Sequence, residues 1–488
     1  MKLRGSLIFI AVAVAIAIGC GSSDDSTFDD PNANADAEAG PGPFLGGDGS
    51  ADGPRPCTGL CLKQVKCGGG TTTSLSGVVK DPAGKVPLYN VLVYVPNAPV
   101  AAITTGASCD RCGSVSGEPL VTAITDATGH FKLDDVPVGN DIPLVIQVGK
   151  WRRQIKVPTV AQCVDTPLAE ADIRLPKKKS EGDLPQMAIT TGGADVMECL
   201  LRKIGVDDSE FTLPDAGGRV HFYQGSPGGA STTSAFAPAN GGGTFPSATT
   251  FWSDKANLLK YDIVILSCEG DTYLDQKPDA ALKAMYDYAN AGGRLFASHW
   301  HRYWFNTAGH PGMPPVPAGP NPSPFESFGV WADRNAPGDQ DPMELVTGKV
   351  DDSFPKGKAM KDWLVNVGAS TTPGDIEIKE SKHNIDSVDK TRATQWITMT
   401  NPYAGNSQAV EYLSFNAPIT APDDQKCGRV VYSDLHVSSG DVRGLPWPTG
   451  CQQPDLSAQE KALEFMLFDL SSCIQNDSAP VVPPPPVK

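Results

Sequence analysis

From Gln186 to Leu470 short apolar runs alternate with amphipathic ones, and few chain folds satisfy that rhythm. "QMAITTGG" reads as a strand closing on two glycines, and "ADVMECLLRKIG" follows with Val196, Leu200 and Ile204 at helical spacing before Gly205. "GRVHFYQG" and "KYDIVILSCEGD" are strands, the second uninterrupted from Ile263 to Leu266. "PDAALKAMYDYANAGG" is an amphipathic helix that puts Leu282, Met285, Tyr286 and Ala289 on one face and ends at Gly292. "RLFASHW", "QAVEYLSFN" and "RVVYSDLH" are further strands, and "SAQEKALEFMLFDL" closes the region as a helix. In that helix Ser457 and Glu460 form a capping box, and Leu463, Met466, Leu467 and Leu470 form the apolar stripe. Apolar strands alternating with helices predict a doubly wound, mainly parallel sheet over residues 184–475.

Ligands of such sheets bind at the carboxyl ends of the strands. Four of these ends carry polar residues: 190–193, 268–271, 299–301 and 434–436. The two late strands share a spacing, with Arg294 seven residues before His301 and Arg429 seven before His436. His299, His301, Asp434, His436, Glu269 and Asp271 are therefore the candidate catalytic or metal-binding residues. On an extended strand His299 and His301 project the same way, since side chains repeat every two residues. With His436 and a carboxylate they would hold a divalent ion with an open position, although the cofactor itself is not identified by the sequence. The alternatives are a histidine base oriented by Asp434 or Glu269, a Cys268 nucleophile with a depressed pKa, and hydrogen-bonded packing histidines beside Trp300, Tyr303 and Trp304. The Pro- and Gly-rich insert 303–342 follows the histidines directly and reads as a lid or a binding surface.

The chain opens on an export signal at 1–19. Lys2 and Arg4 precede a short apolar core, Leu7 to Ile18, that is too short to span a bilayer comfortably. It ends in "AIGC", which resembles the lipobox of bacterial lipoproteins and implies lipidation of Cys20; an ordinary secretory signal cleaved nearby is the alternative. Gly21 in place of Asp implies the outer membrane. Residues 20–56 hold eight acids against Arg55 and little apolar surface, the composition of a disordered tether. Residues 476–488, which include "SAPVVPPPPVK", read as a disordered Pro-rich tail. About 420 residues between the ends suffice for two or three domains. Without Lys2 and Arg4 the chain carries 38 basic and 56 acidic residues, a balance that argues against nucleic acid as partner.

Eleven cysteines remain beside Cys20, and an exported chain makes disulfides their expected state. Cys57, Cys61 and Cys67, and the pair Cys109 and Cys112, are readable as zinc ligands as well. From the strand order, Cys427 and Cys473 fall at one end of the sheet and Cys268 and Cys451 at the other. The expected pairs are 427–473 and 268–451, with three bridges among the six cysteines from Cys57 to Cys163 and Cys199 single.

Residues 57–176 are punctuated by Gly, Pro and Asp and alternate at Leu144, Ile146 and Val148 and again at Ile155 and Val157, the pattern of an all-β sandwich. "GVVKDPAGKVPLYNVLVYV", "TDATGHFKLDDVPVG" and a closing strand resemble the carboxypeptidase regulatory-like (transthyretin-like) sandwich, which implies a structural or binding module. The insert with "CDRC" departs from that pattern. In the α/β region, "YDYANAGGRLFASH" and "CGRVVYSDLH" resemble motifs of the ThuA-like group within the class I glutamine amidotransferase-like fold, a flavodoxin-like doubly wound arrangement. That resemblance implies a carbohydrate-related substrate and carries His299 and His436 over. It lacks the nucleophile elbow, because Ala297–Ser298–His299–Trp300 contains no cysteine. The expectation is an envelope lipoprotein acting as a binding or scaffold module, with a carbohydrate or an envelope protein as ligand. The alternative is a ThuA-like carbohydrate-acting enzyme or a metal-dependent hydrolase.

Overall fold

A computed structural model describes residues 56–113, 115–225, 231–306, 323–325, 327–332, 341–342, 344–405, 407–437 and 440–486. The signal segment, Cys20 and the tether up to residue 55 lie outside the described residues, as does most of the insert 303–342. The described residues form one compact unit.

The N-terminal part is built from strands alone, apart from two short 3-10 turns. They are β1 (Ser74–Val78), β2 (Leu92–Pro96), β3 (Pro119–Ile124), β4 (His130–Leu133), β5 (Gly139–Val148), β6 (Trp151–Val160) and β7 (Asp165–Pro167). They form a three-stranded sheet, β4-β1-β7, and a four-stranded sheet, β3-β2-β5-β6. Every second residue of β5, namely Ile142, Leu144, Ile146 and Val148, joins Leu75, Val93 and Phe131 in one hydrophobic cluster. The period of two in the sequence thus becomes one buried face.

The remainder supplies β8 (Met187–Thr191), α1 (Met197–Lys203), β9 (Phe211–Thr212), β10 (Val220–Gln224), α2 (Ala248–Trp252), α3 (Lys255–Leu258), β11 (Ile263–Leu266), α4 (Asp279–Asn290) and β12 (Arg294–Ser298). Then come β13 (Gly329–Trp331), β14 (Val346–Val350), α5 (Pro355–Asn366), β15 (Asp375–Ile378), β16 (Ile385–Val388), β17 (Thr394–Asn401), β18 (Ser407–Ala417), β19 (Gly428–Ser433) and α6 (Ala458–Ser471). One ten-stranded sheet runs β15-β14-β17-β18-β19-β12-β11-β8-β10-β9, and β13 pairs with β16 in a separate ribbon. From β9 to β19 neighbouring strands are parallel. From β19 outward through β18, β17, β14 and β15 they are antiparallel.

Successive strand residues divide between two cores. Ile263, Ile265 and Phe296 pack with Leu200 of α1, Trp363 of α5 and Leu463 of α6. Val264, Leu266, Leu295 and Ala297 pack with Trp252 of α2, Leu258 of α3 and Met285 of α4. Both faces of the parallel strands are therefore apolar, which is why these strands read as uninterrupted hydrophobic runs. The capping box of α6 is present, with Ser457 accepting from the Glu460 N–H and Glu460 reaching back to the Ser457 N–H.

The two parts share the first of these cores. Tyr89 stacks on Phe465 at 5.7 Å, Trp151 meets Phe468 edge-on, and Trp363 Nε1 donates to the Pro87 carbonyl at 2.7 Å. Disulfides join them covalently, and here the expected pairing is corrected. Cys427 bonds Cys109 and Cys473 bonds Cys112. Cys427 and Cys473 do flank one end of the sheet, but the Cys109–Cys112 loop lies between them and takes both. Cys451 bonds Cys199 at the start of α1, so Cys199 is not single, and Cys268 is a free buried thiol. The N-terminal cysteines keep two bridges of their own, 57–61 and 67–163.

The expected disordered tail is also corrected over its described part. Asp477 is buried in ion pairs, and Thr122 Oγ1 donates to the Pro484 carbonyl at 2.7 Å. Asp477 is the cause, because a carboxylate enclosed between Arg429 and Lys356 fixes the chain around it.

Candidate functional site

Parallel register brings the strand ends level. Leu266 pairs with Ala297 and Ala297 with Tyr432, and Ser298 pairs with Ser433. Cys268 lies two residues past β11, His299 one past β12 and His436 three past β19, so three adjacent strands deliver them to one place. All three are buried. Cys268 Sγ lies 3.4 Å from His299 Nδ1, and His436 Nε2 lies 3.1 Å from the same nitrogen. The three ligand atoms fall within 4.8 Å of one another.

His299 has φ +41°, the left-handed region that costs a side-chain-bearing residue roughly 1–2 kcal/mol. This backbone turn ends β12 and starts the 3-10 helix His299–Trp304. It overturns the expectation that His299 and His301 point together along a strand, since the strand stops at Ser298. His301 turns instead into the interior. Its Nε2 lies 2.9 Å from the Ser267 carbonyl, and its Nδ1 accepts from Trp304 Nε1 at 3.0 Å. Both nitrogens are used, and burial pushes its pKa down to about 4, so His301 is a neutral packing residue.

The expected carboxylates are engaged elsewhere. Glu269 is paired with Lys277 at 2.6 Å, both closed from solvent, and lies 3.9 Å from His301 Nε2. Asp434 Oδ1 accepts from Asn384 Nδ2 at 2.7 Å and lies 2.7 Å from the Tyr432 hydroxyl, and its Oδ2 accepts from the Asn384 N–H. That hydroxyl is 2.9 Å from the His299 carbonyl, so Asp434 acts on the site through Tyr432 rather than by touching an imidazole. Asp271 accepts from the Thr272 N–H and is not among the converging atoms.

Asp195 was missed. Its Oδ2 accepts from Ser298 Oγ at 2.7 Å and its Oδ1 from the Val437 N–H at 2.8 Å, so one carboxylate fastens the residue before His299 and the residue after His436. Gln459 of α6 adds a bond from Nε2 to the His436 carbonyl at 2.7 Å. The available signal was an acid two residues past the glycines that close β8, a pattern also expected of an ordinary helix start. Gly192 explains the glycines: a Cβ there would meet the Cys268 carbonyl at 2.1 Å.

Burial sets the electrostatics. It pushes the Cys268 thiol up to about 12, against opposing backbone N–H groups of Trp300 and Gly270, and the His436 imidazole down to about 3. Burial likewise raises Asp195 to about 6 and Glu198, one helical turn on, to about 8. In the chain alone, burial thus favours the thiol form of Cys268 and the neutral form of His436, which works against a thiolate nucleophile.

No family model matches the chain, and no curated protein matches it. Several solved chains align with part of it, among them two mutants of one complex. One is the C-terminal interface mutant of a type II cohesin–X-dockerin complex from Acetivibrio cellulolyticus, 17% identical over 29% of this chain and 75% of that one, with a TM-score of 0.15. The other is the N-terminal interface mutant of that complex, 16% identical over 31% of this chain and 95% of that one, with a TM-score of 0.14. Likeness at that level carries no argument about this chain.

Proposed function

We propose that the chain is a lipid-anchored envelope protein whose transthyretin-like sandwich carries a doubly wound, ThuA-like domain, and that this domain binds a carbohydrate without amidotransferase chemistry. The observation that carries the reading is His299 at the left-handed turn after β12, the place where amidotransferases of this fold hold their nucleophilic cysteine. The nearby thiol, Cys268, belongs to the neighbouring strand end and is held protonated by burial. Strand-end placement supports a ligand site at this edge. The anchor rests on Cys20 in "AIGC", and the outer-membrane address on Gly21.

Incubated with glutamine, the purified full-length chain is expected to release no ammonia. Calorimetric titration with soluble peptidoglycan fragments is expected to give binding heat, no change in the fragments by chromatography, and loss of binding in His299→Ala. Ammonia release that disappears in Cys268→Ser would overturn the reading. Turnover of the fragments would replace it with the enzyme alternative, a metal-dependent hydrolase, which the convergence of one sulfur and two imidazole nitrogens favours.

A further inference from the structure

We infer that Cys268, His299 and His436 form a binding site for a borderline-soft divalent transition-metal cation, with zinc(II) the best fit. The inference rests on these three residues alone and stands whether or not the edge binds a carbohydrate.

Geometry is the first argument. A ring nitrogen offers one in-plane direction, either a lone pair or an N–H. His299 Nδ1 is nevertheless approached by both Cys268 Sγ at 3.4 Å and His436 Nε2 at 3.1 Å. A single proton cannot serve both contacts well, whereas a cation placed between the three atoms engages all of them. At tetrahedral angles, zinc–sulfur and zinc–nitrogen bonds of about 2.3 and 2.0–2.1 Å hold the ligand atoms about 3.3–3.6 Å apart. The two separations to Nδ1 lie close to that range, and the third lies within the 4.8 Å spread of the group.

Preorganisation is the second. The His299 and His436 rings are 5.0 Å apart and inclined at 61°, with a nitrogen of each turned toward the other at 3.1 Å. Asp195 grips Ser298 and the Val437 N–H, Gln459 grips the His436 carbonyl, and the Tyr432 hydroxyl reaches the His299 carbonyl. The backbone beside both histidines is held by buried side chains, the outer support that metal ligands require.

The third is the state of the cysteine. Ten described cysteines are bridged, and Cys268 is the one that is not. One sulfur and two imidazoles select zinc(II) or cobalt(II) over magnesium or calcium, which take oxygen. On binding, the Cys268 S–H bond breaks, the sulfur pair forms the S–metal bond and the proton leaves to solvent, so charge and atoms balance. Three protein ligands leave a fourth position for a water or another small donor.

The test uses the full-length chain, stripped with a chelator and titrated with cobalt(II) and zinc(II). One equivalent of either is expected, with a thiolate-to-cobalt charge-transfer band and no competition from excess magnesium or calcium. Cys268→Ser, near-isosteric, is expected to lose the band with an unchanged circular dichroism spectrum. His436→Ala is expected to weaken binding at least ~10-fold. Absence of stoichiometric cobalt in the folded wild-type chain would overturn the inference, and so would a charge-transfer band that survives in Cys268→Ser. Should His436→Ala fail to fold, the comparison of wild type with Cys268→Ser decides alone.

Discussion

Arg429→Met is expected to cost about 3–5 kcal/mol of folding stability at neutral pH, the loss that follows removal of one partner from a buried ion cluster. Arg429 is 1% exposed and holds Asp469 at 2.5 Å and Asp477 at 2.9 Å. Lys356 holds the same two carboxylates at 2.8 and 3.1 Å. Two cations face two anions, so losing the guanidinium leaves an uncompensated negative charge where water cannot reach it. Burial alone would raise Asp477, but Arg429 and Lys356 overcome that and hold its carboxyl well below the usual range. A depressed carboxyl contributes stability above its unfolded pKa and loses it as pH falls toward the folded value. The wild-type chain should therefore weaken on acidification below about pH 4, and Arg429→Met should weaken less steeply there. Urea midpoints at several pH values measure both effects. Asp477→Asn added to Arg429→Met should recover part of the loss, since it removes the orphaned charge.

The second large effect is expected from the clamp between the two parts. Replacing Cys109 and Cys112 by serine opens bridges spanning 318 and 361 residues. Removal of one native disulfide typically costs about 2–5 kcal/mol, so the double variant is expected to lose at least that much, read as a lower urea midpoint without reductant. The loop is also docked without its sulfurs. Lys150 Nζ donates to the Thr104 and Gly106 carbonyls and pairs with Asp262 at 2.6 Å. A Cβ on Gly292, whose φ is +111°, would meet the Ser108 carbonyl at 2.3 Å, so the loop lies hard against the turn between α4 and β12. Limited proteolysis should accordingly cut the double variant within the 97–117 segment before it cuts the wild-type chain.

Local periodicity made most strands and the last helix legible, because burial on both faces leaves uninterrupted apolar runs at Ile263–Leu266 and Leu295–Ala297. The capping box of α6 is a local signal and was equally plain. The shared seven-residue spacing also has a structural basis, since Arg294 and Arg429 are register partners at the starts of adjacent strands. Their upper ends differ. After β12 the chain turns left-handed at His299 and sends His301 into the interior, while the three residues after β19 carry His436 beside His299. Nothing in a histidine's neighbours encodes that turn, so the pairing of His299 with His301 was misread and the partnership with Cys268 went unseen. The disulfides were misassigned for a related reason: partners more than 250 residues apart are chosen by tertiary docking of the Cys109–Cys112 loop and of α1, which no spacing reveals. Asp195 escaped notice because its two bonds reach residues 103 and 242 positions away.

Cys268 is a buried free thiol beside two imidazoles. Peptide mapping by mass spectrometry, after alkylation without reductant, tests this directly. Alkylated while folded, Cys268 should stay unmodified; alkylated after unfolding, it should be labelled, with 109–427, 112–473 and 199–451 recovered as bridged peptides. Recovery of Cys268 bridged to Cys451 would contradict the account, because a bridged sulfur can neither bind a metal nor sit free against His299.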